Sequence, residues 1–320
     1  MVAFIAVALL LPLATSQSNY LTFILNLVIL NAILVTSFNL LSSYTGLRNL
    51  AMGGLTGLGG YISCYLVMRA NVSFWIAMPV TSLLVAAVGT ALVFPSIRVK
   101  GLYFVISTLI VQIILTQLYE SWGEFTLGDV GISNVPTPTI SLGESVVYVS
   151  GTVFSYLAMM IFIVFFIVAK RITTGRTGLR LAATRDDELL ASYIGIDVTR
   201  QRTLMFFLTS FMVGIYGCLY TPLITFISPR QNDLSLSFNT LVMVIFGGER
   251  TLLGPILGAA ILTILPNALS IIYPFRNYIT GLILIITVVF FPKGLISVFR
   301  VAAKKLMAPQ TPERDQQRKS

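Results

Sequence analysis

YLTFILNLVILNAILVTSFNLLSSYT, residues 20–45, runs for 26 positions without one charged side chain. A helix rises about 1.5 Å per residue, so this stretch is long enough to cross the roughly 30 Å hydrocarbon core of a bilayer. Runs of the same kind recur along the chain, giving approximate membrane segments at 1–14, 20–45, 50–68, 75–95, 101–119, 148–169, 201–225, 236–247, 251–272 and 276–299. Ten is the working count. The first and the eighth are the weakest, because a dozen helical residues rise only about 18 Å. Either could be a re-entrant or half-spanning piece, so the count runs from eight to ten, with ten the best fit.

Composition agrees with a hydrocarbon solvent. Of 320 residues, 56% are hydrophobic and 10% charged, against roughly 25% charged in a soluble domain. The net charge of +9 does not read as a nucleic-acid footprint. Its basic residues collect in short stretches between apolar runs, as in loops facing an anionic leaflet. There is no histidine, and the two cysteines, Cys64 and Cys218, lie far apart inside apolar runs. That excludes a Cys/His metal cluster and argues against a disulfide framework. The run Val2–Ala14 lacks a basic leader and an A-x-A site, so it reads as a membrane segment rather than a signal peptide.

Charge placement tests the count. With alternating segments and both termini cytoplasmic, the inside collects Arg48, Arg98, Lys100, the basic residues of 170–202, Arg250, Lys293 and those of the tail. Only Arg69, Arg230 and Arg276 remain outside. This is the positive-inside distribution.

Two connections are long. The outward loop at 120–147 carries Glu120, Glu124, Asp129 and Glu144 with no Lys or Arg; it reads as a solvated linker, a lid or a docking surface. The inward run KRITTGRTGLRLAATRDDELLASYIGIDVTRQR (170–202) is the most polar before the tail. In it, Thr184 followed by Asp187 resembles a capping box, with Asp186, Asp187 and Glu188 in the first turn, where the helix dipole favours negative charge. Leu189, Leu190, Tyr193 and Ile194 share one face, and Gly195 supplies a stop. The result is a short amphipathic helix, lying either in the headgroup region or in another protein's groove. The chain therefore divides into a membrane domain, 1–300, with a cytoplasmic loop at about 170–200, and a polar, disordered tail at 301–320.

Chemistry is conspicuous by omission. No segment core holds Asp, Glu, Lys or Arg, whereas ion-coupled transporters usually place ionisable groups within the membrane. No G-x-x-x-x-G-K-[ST], G-x-S-x-G or H-E-x-x-H occurs. The sequence reads as a non-enzyme, without cofactor or metal. What it does contain is glycine at helix-packing intervals: Gly53 and Gly57 in GLRNLAMGGLTGLGGY (46–61), and Gly254 and Gly258 in GGERTLLGPILGAA (247–260). Pro255 stands where it would interrupt its helix. Both runs have a further glycine seven residues upstream, Gly46 and Gly247. The likeness fits either close packing or a duplicated unit. Asn26, Asn31, Thr36, Ser37, Asn39, Ser42 and Ser43 concentrate polarity in the segment at 20–45, either lining a route or bonding neighbouring helices.

Together these motifs resemble the LivM-type permease subunits of branched-chain amino-acid ABC importers, over about residues 20–300. TGLRNLAMGGLTGLGGY (45–61) is similar to that family's glycine-rich helix. RVKGLYF (98–104) resembles its R-x-x-G-x-Y-F element, and TLGDVGI (126–132) its T-G-G-x-x-G-I. GRTGLRLAATRDDELLASYIGIDVTRQR (175–202) looks like the coupling loop, and 247–259 and FPKGL (291–295) complete the order. The family's usual histidine is absent, and Glu249 and Arg250 stand where small or uncharged residues are common. The resemblance implies an ABC importer permease fold in the bacterial inner membrane. It implies two permease chains, in a heterodimer with a related subunit, two cytoplasmic ATPases and a substrate-binding protein. Arg185, Asp186, Asp187, Glu188, Leu189, Leu190, Tyr193 and Gly195 would form the ATPase-coupling element. Gly53, Gly57, Asn39, Ser42, Gly254 and Gly258 are candidates for helix packing or the pathway. The cargo expected is a branched-chain or other neutral amino acid; urea, short amides or a sugar on the same architecture, or a partner-independent transporter or channel, are the alternatives.

Overall fold

The structure is a computed structural model that describes Pro12 and residues 18–99, 101–142 and 145–268. The first segment (1–14) apart from Pro12, the end of the ninth, the tenth (276–299) and the tail (301–320) lie outside the described residues. In chain order the helices are α1 Asn19–Thr45, α2 Met52–Met68, α3 Phe74–Val93, α4 Leu102–Ser121, α5 Gly123–Thr126, α6 Gly151–Thr174, α7 Arg176–Asp186, α8 Glu188–Tyr193, α9 Val198–Ile224, α10 Leu234–Gly247 and α11 Leu253–Ala268. Four short strands form two antiparallel pairs: β1 Ile132–Ser133 with β4 Phe226–Ile227, and β2 Thr139–Leu142 with β3 Ser145–Tyr148.

Five of these helices are long and apolar enough to span a membrane: α1, α3 with the 3-10 turn that extends it to Arg98, α4, α6 and α9. Three shorter apolar helices accompany them, α2, α10 and α11, of 17, 14 and 16 residues. Each segment expected between 20 and 268 thus has a helix. Pro255, read as a helix breaker, falls instead in the first turn of α11. A helix needs no intrahelical N–H there, and α11 continues past it.

Helices α1, α2 and α9 form the inside of the bundle. α9 packs on α3, α2 and α1, while α1 also packs on α6, α10 and α11. The outer helices turn unbroken apolar faces outward. On α3 these are Ile76, Val80, Leu83, Leu84, Val88 and Leu92; on α4 they are Ile106, Ile110, Ile113 and Ile114. Such continuous exposed apolar surface suits lipid or a partner chain and not water.

The helix at 52–68 starts in an unusual way. After α1 ends at Gly46, whose φ of 76° a glycine adopts without strain, residues 47–51 are non-helical. Leu47, Asn49, Leu50 and Ala51 are nevertheless buried. Non-helical backbone is tolerated at depth only if its polar groups find partners in the protein. Here the Leu50 N–H donates to Thr108 Oγ1 (3.1 Å) and the Ala51 N–H to Asn49 Oδ1 (2.8 Å). The first N–H groups of α2 are met in the same way: Gly53 donates to Ser237 Oγ (2.9 Å) and Gly54 to Gln112 Oε1 (2.6 Å).

Glycine sets how closely α2 and α9 approach. A Cβ added to Gly59 would lie 2.9 Å from the Gly214 carbonyl oxygen, and one added to Gly214 2.8 Å from Ser82 Cα. Three helices meet where only hydrogen atoms fit. We therefore expect Gly214→Leu to destabilise the purified protein by about 1–3 kcal/mol, seen as a lower melting temperature in detergent. Gly123→Ala, where an added Cβ meets nothing within 4 Å, should melt with the parent. Equal melting of both variants would show that the crossing has slack the structure denies.

Candidate coupling site at the basic end

Loops far apart in sequence meet at one end of the bundle. A cavity of about 350 Å³ there is lined by Ser43, Arg48, Gly101, Arg185, Glu249 and Arg250. It joins the turns after α1 and α10, the entry to α4 and the end of α7. Arg48 and Glu249, from the two glycine-rich turns, form an ion pair at 3.3 Å. The turns that look alike in sequence are thus side by side in space.

At the opposite end, β1 pairs with β4 and the Trp75 Nε1–H donates to the Thr139 carbonyl (2.9 Å), pinning the 120–147 connection over the bundle. Charge divides accordingly. Arg48, Arg98, Arg176, Arg180, Arg185, Arg200 and Arg250 belong to the first end. Among the described residues the second has only the cations Arg69 and Arg230, with Glu120, Glu124, Asp129 and Asp233.

At the basic end the inward connection forms two short helices where one was expected. Thr184 is inside α7 and donates to the Arg180 carbonyl (2.9 Å), so it caps nothing. Asp187 is the N-cap of α8: its backbone is extended (φ −149°), and its Oδ1 accepts from the N–H groups of Leu189 (2.9 Å) and Leu190 (3.1 Å). The cap falls three residues later than the spacing suggested, because Asp can serve as the cap itself. Arg185 and Asp186 close α7, leaving Glu188 as the acid in the first turn of α8.

The rest of the pattern appears as read. Leu189, Leu190, Tyr193 and Ile194 are 67%, 62%, 84% and 74% exposed, while Ala191 on the opposite face is buried. Gly195 ends the element at φ 82°. An exposed apolar face on a capped helix suits a covering surface, the headgroup region or another protein.

Two residues that sequence reasoning passed over anchor this element. Arg202 in α9, its side chain 6% exposed, places Nη1 3.1 Å from Glu188 Oε1. Ser43 in α1 lends its carbonyl oxygen to Arg185 Nη1 (2.8 Å), while Arg185 Nε and Nη2 both donate to Asp186 Oδ1 (3.0 and 2.7 Å). A backbone carbonyl leaves no trace in composition. Arg202 stood among many arginines in a polar run, with no signal to separate it.

The other candidates serve contacts between helices. Asn39 Nδ2 donates to the Thr251 carbonyl (2.9 Å), and its Oδ1 accepts from Ser43 Oγ (2.6 Å). Asn31 reaches Thr263 Oγ1 (2.9 Å), so polar residues of α1 bond α11. A Cβ on Gly53 would crowd the Asn232 carbonyl oxygen (2.8 Å) and one on Gly57 would crowd Tyr119 (2.8 Å). Gly254 faces the Gly247 carbonyl oxygen (2.7 Å) and Gly258 the Gly247 backbone (2.9 Å). Ser42 is buried and lines the cavity described above. Both cysteines are buried and free.

Apolar outer faces, helices of spanning length and divided charge define the class: a multi-pass helical membrane protein. A family model described as "Branched-chain amino acid transport system / permease component" matches residues 20–291. The chain belongs to that family, whose members are non-catalytic membrane subunits of ABC transport systems and work with other subunits. It is similar to the high-affinity branched-chain amino acid transport system permease protein LivM of Salmonella typhimurium (25% identity) and of Escherichia coli (26%). Each alignment covers 95% of this chain and 76% of the relative. It is also similar to a probable branched-chain amino acid transport permease protein, LivH, of Methanocaldococcus jannaschii, at 23% identity over 87% of this chain and 92% of the relative.

Loss of the cap gives a local test. Replacing Asp187 by Ala should weaken α8 by about 1 kcal/mol, within the 0.5–2 kcal/mol range for such caps. Amide hydrogen exchange at Leu189 and Leu190 should then quicken about fivefold, with Asp187→Asn close to the parent. Unchanged exchange in Asp187→Ala would mean that the cap does not hold the helix.

Proposed function

We propose that the chain is the permease subunit of an ATP-driven importer carrying branched-chain or other neutral amino acids across the cytoplasmic membrane. The observation that carries the ATP-driven part is the exposed Leu189, Leu190, Tyr193 and Ile194 face of α8. An amphipathic helix of this kind suits the groove of a second protein, and no Walker A sequence occurs in this chain to supply ATP hydrolysis from within. In this reading two cytoplasmic ATPase subunits take α8, a related permease chain completes the pathway, and a substrate-binding protein delivers cargo to the far end. The basic end lies in the cytoplasm, where anionic lipid and the positive-inside rule favour it. The amino-acid cargo rests on the family and on the names of the LivM and LivH relatives.

The test is uptake of labelled leucine by a strain lacking this gene, with and without the gene restored, and with neutral amino acids, urea and a pentose as competitors. The restored gene should return leucine uptake, with isoleucine and valine the strongest competitors. The variant Leu189→Asp/Tyr193→Asp should insert normally, lose the ATPase subunits on purification and restore less than about a tenth of the uptake, as expected when interface anchors are removed. Full uptake by that variant would rule out α8 as the ATPase contact. Loss of urea or pentose uptake with leucine untouched would overturn the cargo.

A further inference from the structure

Helix α8 has six residues and is separated from α9 by the non-helical residues 194–197. Its covalent route to α9 runs through Gly195, at φ 82°, where an added Cβ would meet nothing within 4 Å. Ile194 and Gly195 are exposed and unpacked on that side. A load applied to the apolar face of α8 reaches α9 through this turn and through the side-chain ties that cross it.

The Ile196 N–H donates to the Ala191 carbonyl across this turn (3.0 Å), and a side-chain ion pair spans it as well. Glu188 Oε1 on α8 lies 3.1 Å from Arg202 Nη1 on α9, and the guanidinium is buried. Its Nε is a second buried donor with no acceptor among the described residues, so the guanidinium has a spare bond to form if the helices shift. Helix α9, 27 residues long in all, runs on from Arg202 through the centre of the bundle, past the glycine crossing with α2 and against α1 and α3. The other anchor, Arg185 on Ser43, leads elsewhere. Ser43 Oγ accepts from the Arg250 N–H (3.2 Å), and the chain of bonds continues through Asn39 to Thr251 at the start of α11.

We propose that Arg202 is the positioning residue through which movement of α8 reaches α9, the ion pair with Glu188 bridging the joint at Gly195. The inference rests on the importer reading above, and it adds a named link between the ATPase-facing helix and the core of the membrane domain. Arg202 makes α8 and the start of α9 move as one body.

The test uses the complete importer, with its ATPases, second permease and binding protein, reconstituted in liposomes. The readout is labelled leucine taken up per ATP hydrolysed. Arg202→Met should lower that ratio by about tenfold, within the range known for residues that carry coupling between sites. Arg202→Lys should retain most of it, since a single nitrogen makes the bond seen here. The exchanged pair Glu188→Arg/Arg202→Glu should recover the ratio to within about threefold of the parent. A purely structural role would lower uptake and hydrolysis together and leave the ratio unchanged, which would overturn the proposal. If Arg202→Met does not fold, the exchanged pair decides, and a folded exchanged pair with a low ratio overturns it. If the unsubstituted chain fails to hold ATPase subunits, the importer reading falls and this link with it. If it holds them and Arg202→Met transports at the parental ratio, only the link falls.

Discussion

In hydrocarbon a backbone N–H has no water to turn to, and each one left unpaired costs several kcal/mol. The fold is arranged around that constraint. Most segments meet it by being helical throughout. The stretch between α1 and α2 does not, and the chain compensates with side chains brought from far away in sequence: Thr108 and Gln112 from α4, and Ser237 from α10. Gln112 also donates to the Asn232 carbonyl (3.0 Å), and Tyr119 to the Gly54 carbonyl (2.7 Å). The start of α2 is thereby fixed to α4, to α10 and to the 3-10 turn before α10. Polar residues that looked surplus in apolar runs are what allow an irregular segment to be buried.

Close packing has its origin in the same solvent. Lipid tails are as apolar as leucine, so helices gain little from hiding apolar side chains against one another and depend on contact and hydrogen bonding. Glycine provides contact at the crossing of α2, α3 and α9, and asparagine provides bonds between α1 and α11. The likeness between 46–61 and 247–260 has a spatial counterpart, since their turns meet through Arg48 and Glu249. Their glycines, though, serve different neighbours. Gly53 and Gly57 admit the 229–233 turn and Tyr119, whereas Gly254 and Gly258 admit the end of α10.

How much of this was legible depends on the range of the interaction. The apolar runs announced α1 to α4, α6 and α9 to α11 because lipid exposure is written in composition. The exposed face of α8 was legible from spacing, and its stop from Gly195. The cap was misplaced by three residues, since Thr184 and Asp187 are both good caps and only the backbone settles which serves. Gly59 and Gly60 were visible as part of a glycine-rich run, but their partners Gly214 and Gly217 were not, because a crossing point depends on the angle between two helices. Ser43 was legible as a polar residue and illegible as the owner of the carbonyl that Arg185 grips.

The basic end joins these threads. An exposed apolar face leaves a short helix loosely packed on that side, and charged contacts hold it firmly on the other. The chain reconciles the two by placing the apolar residues of α8 on its outer face and its charged ties on either side. Arg185 holds α1 before the cap, and Glu188 holds α9 after it. Because α1 and α9 are the two most deeply buried of the spanning helices, these ties attach the inward connection to the centre of the bundle. The outer helices α3 and α4 are left to face lipid or another chain.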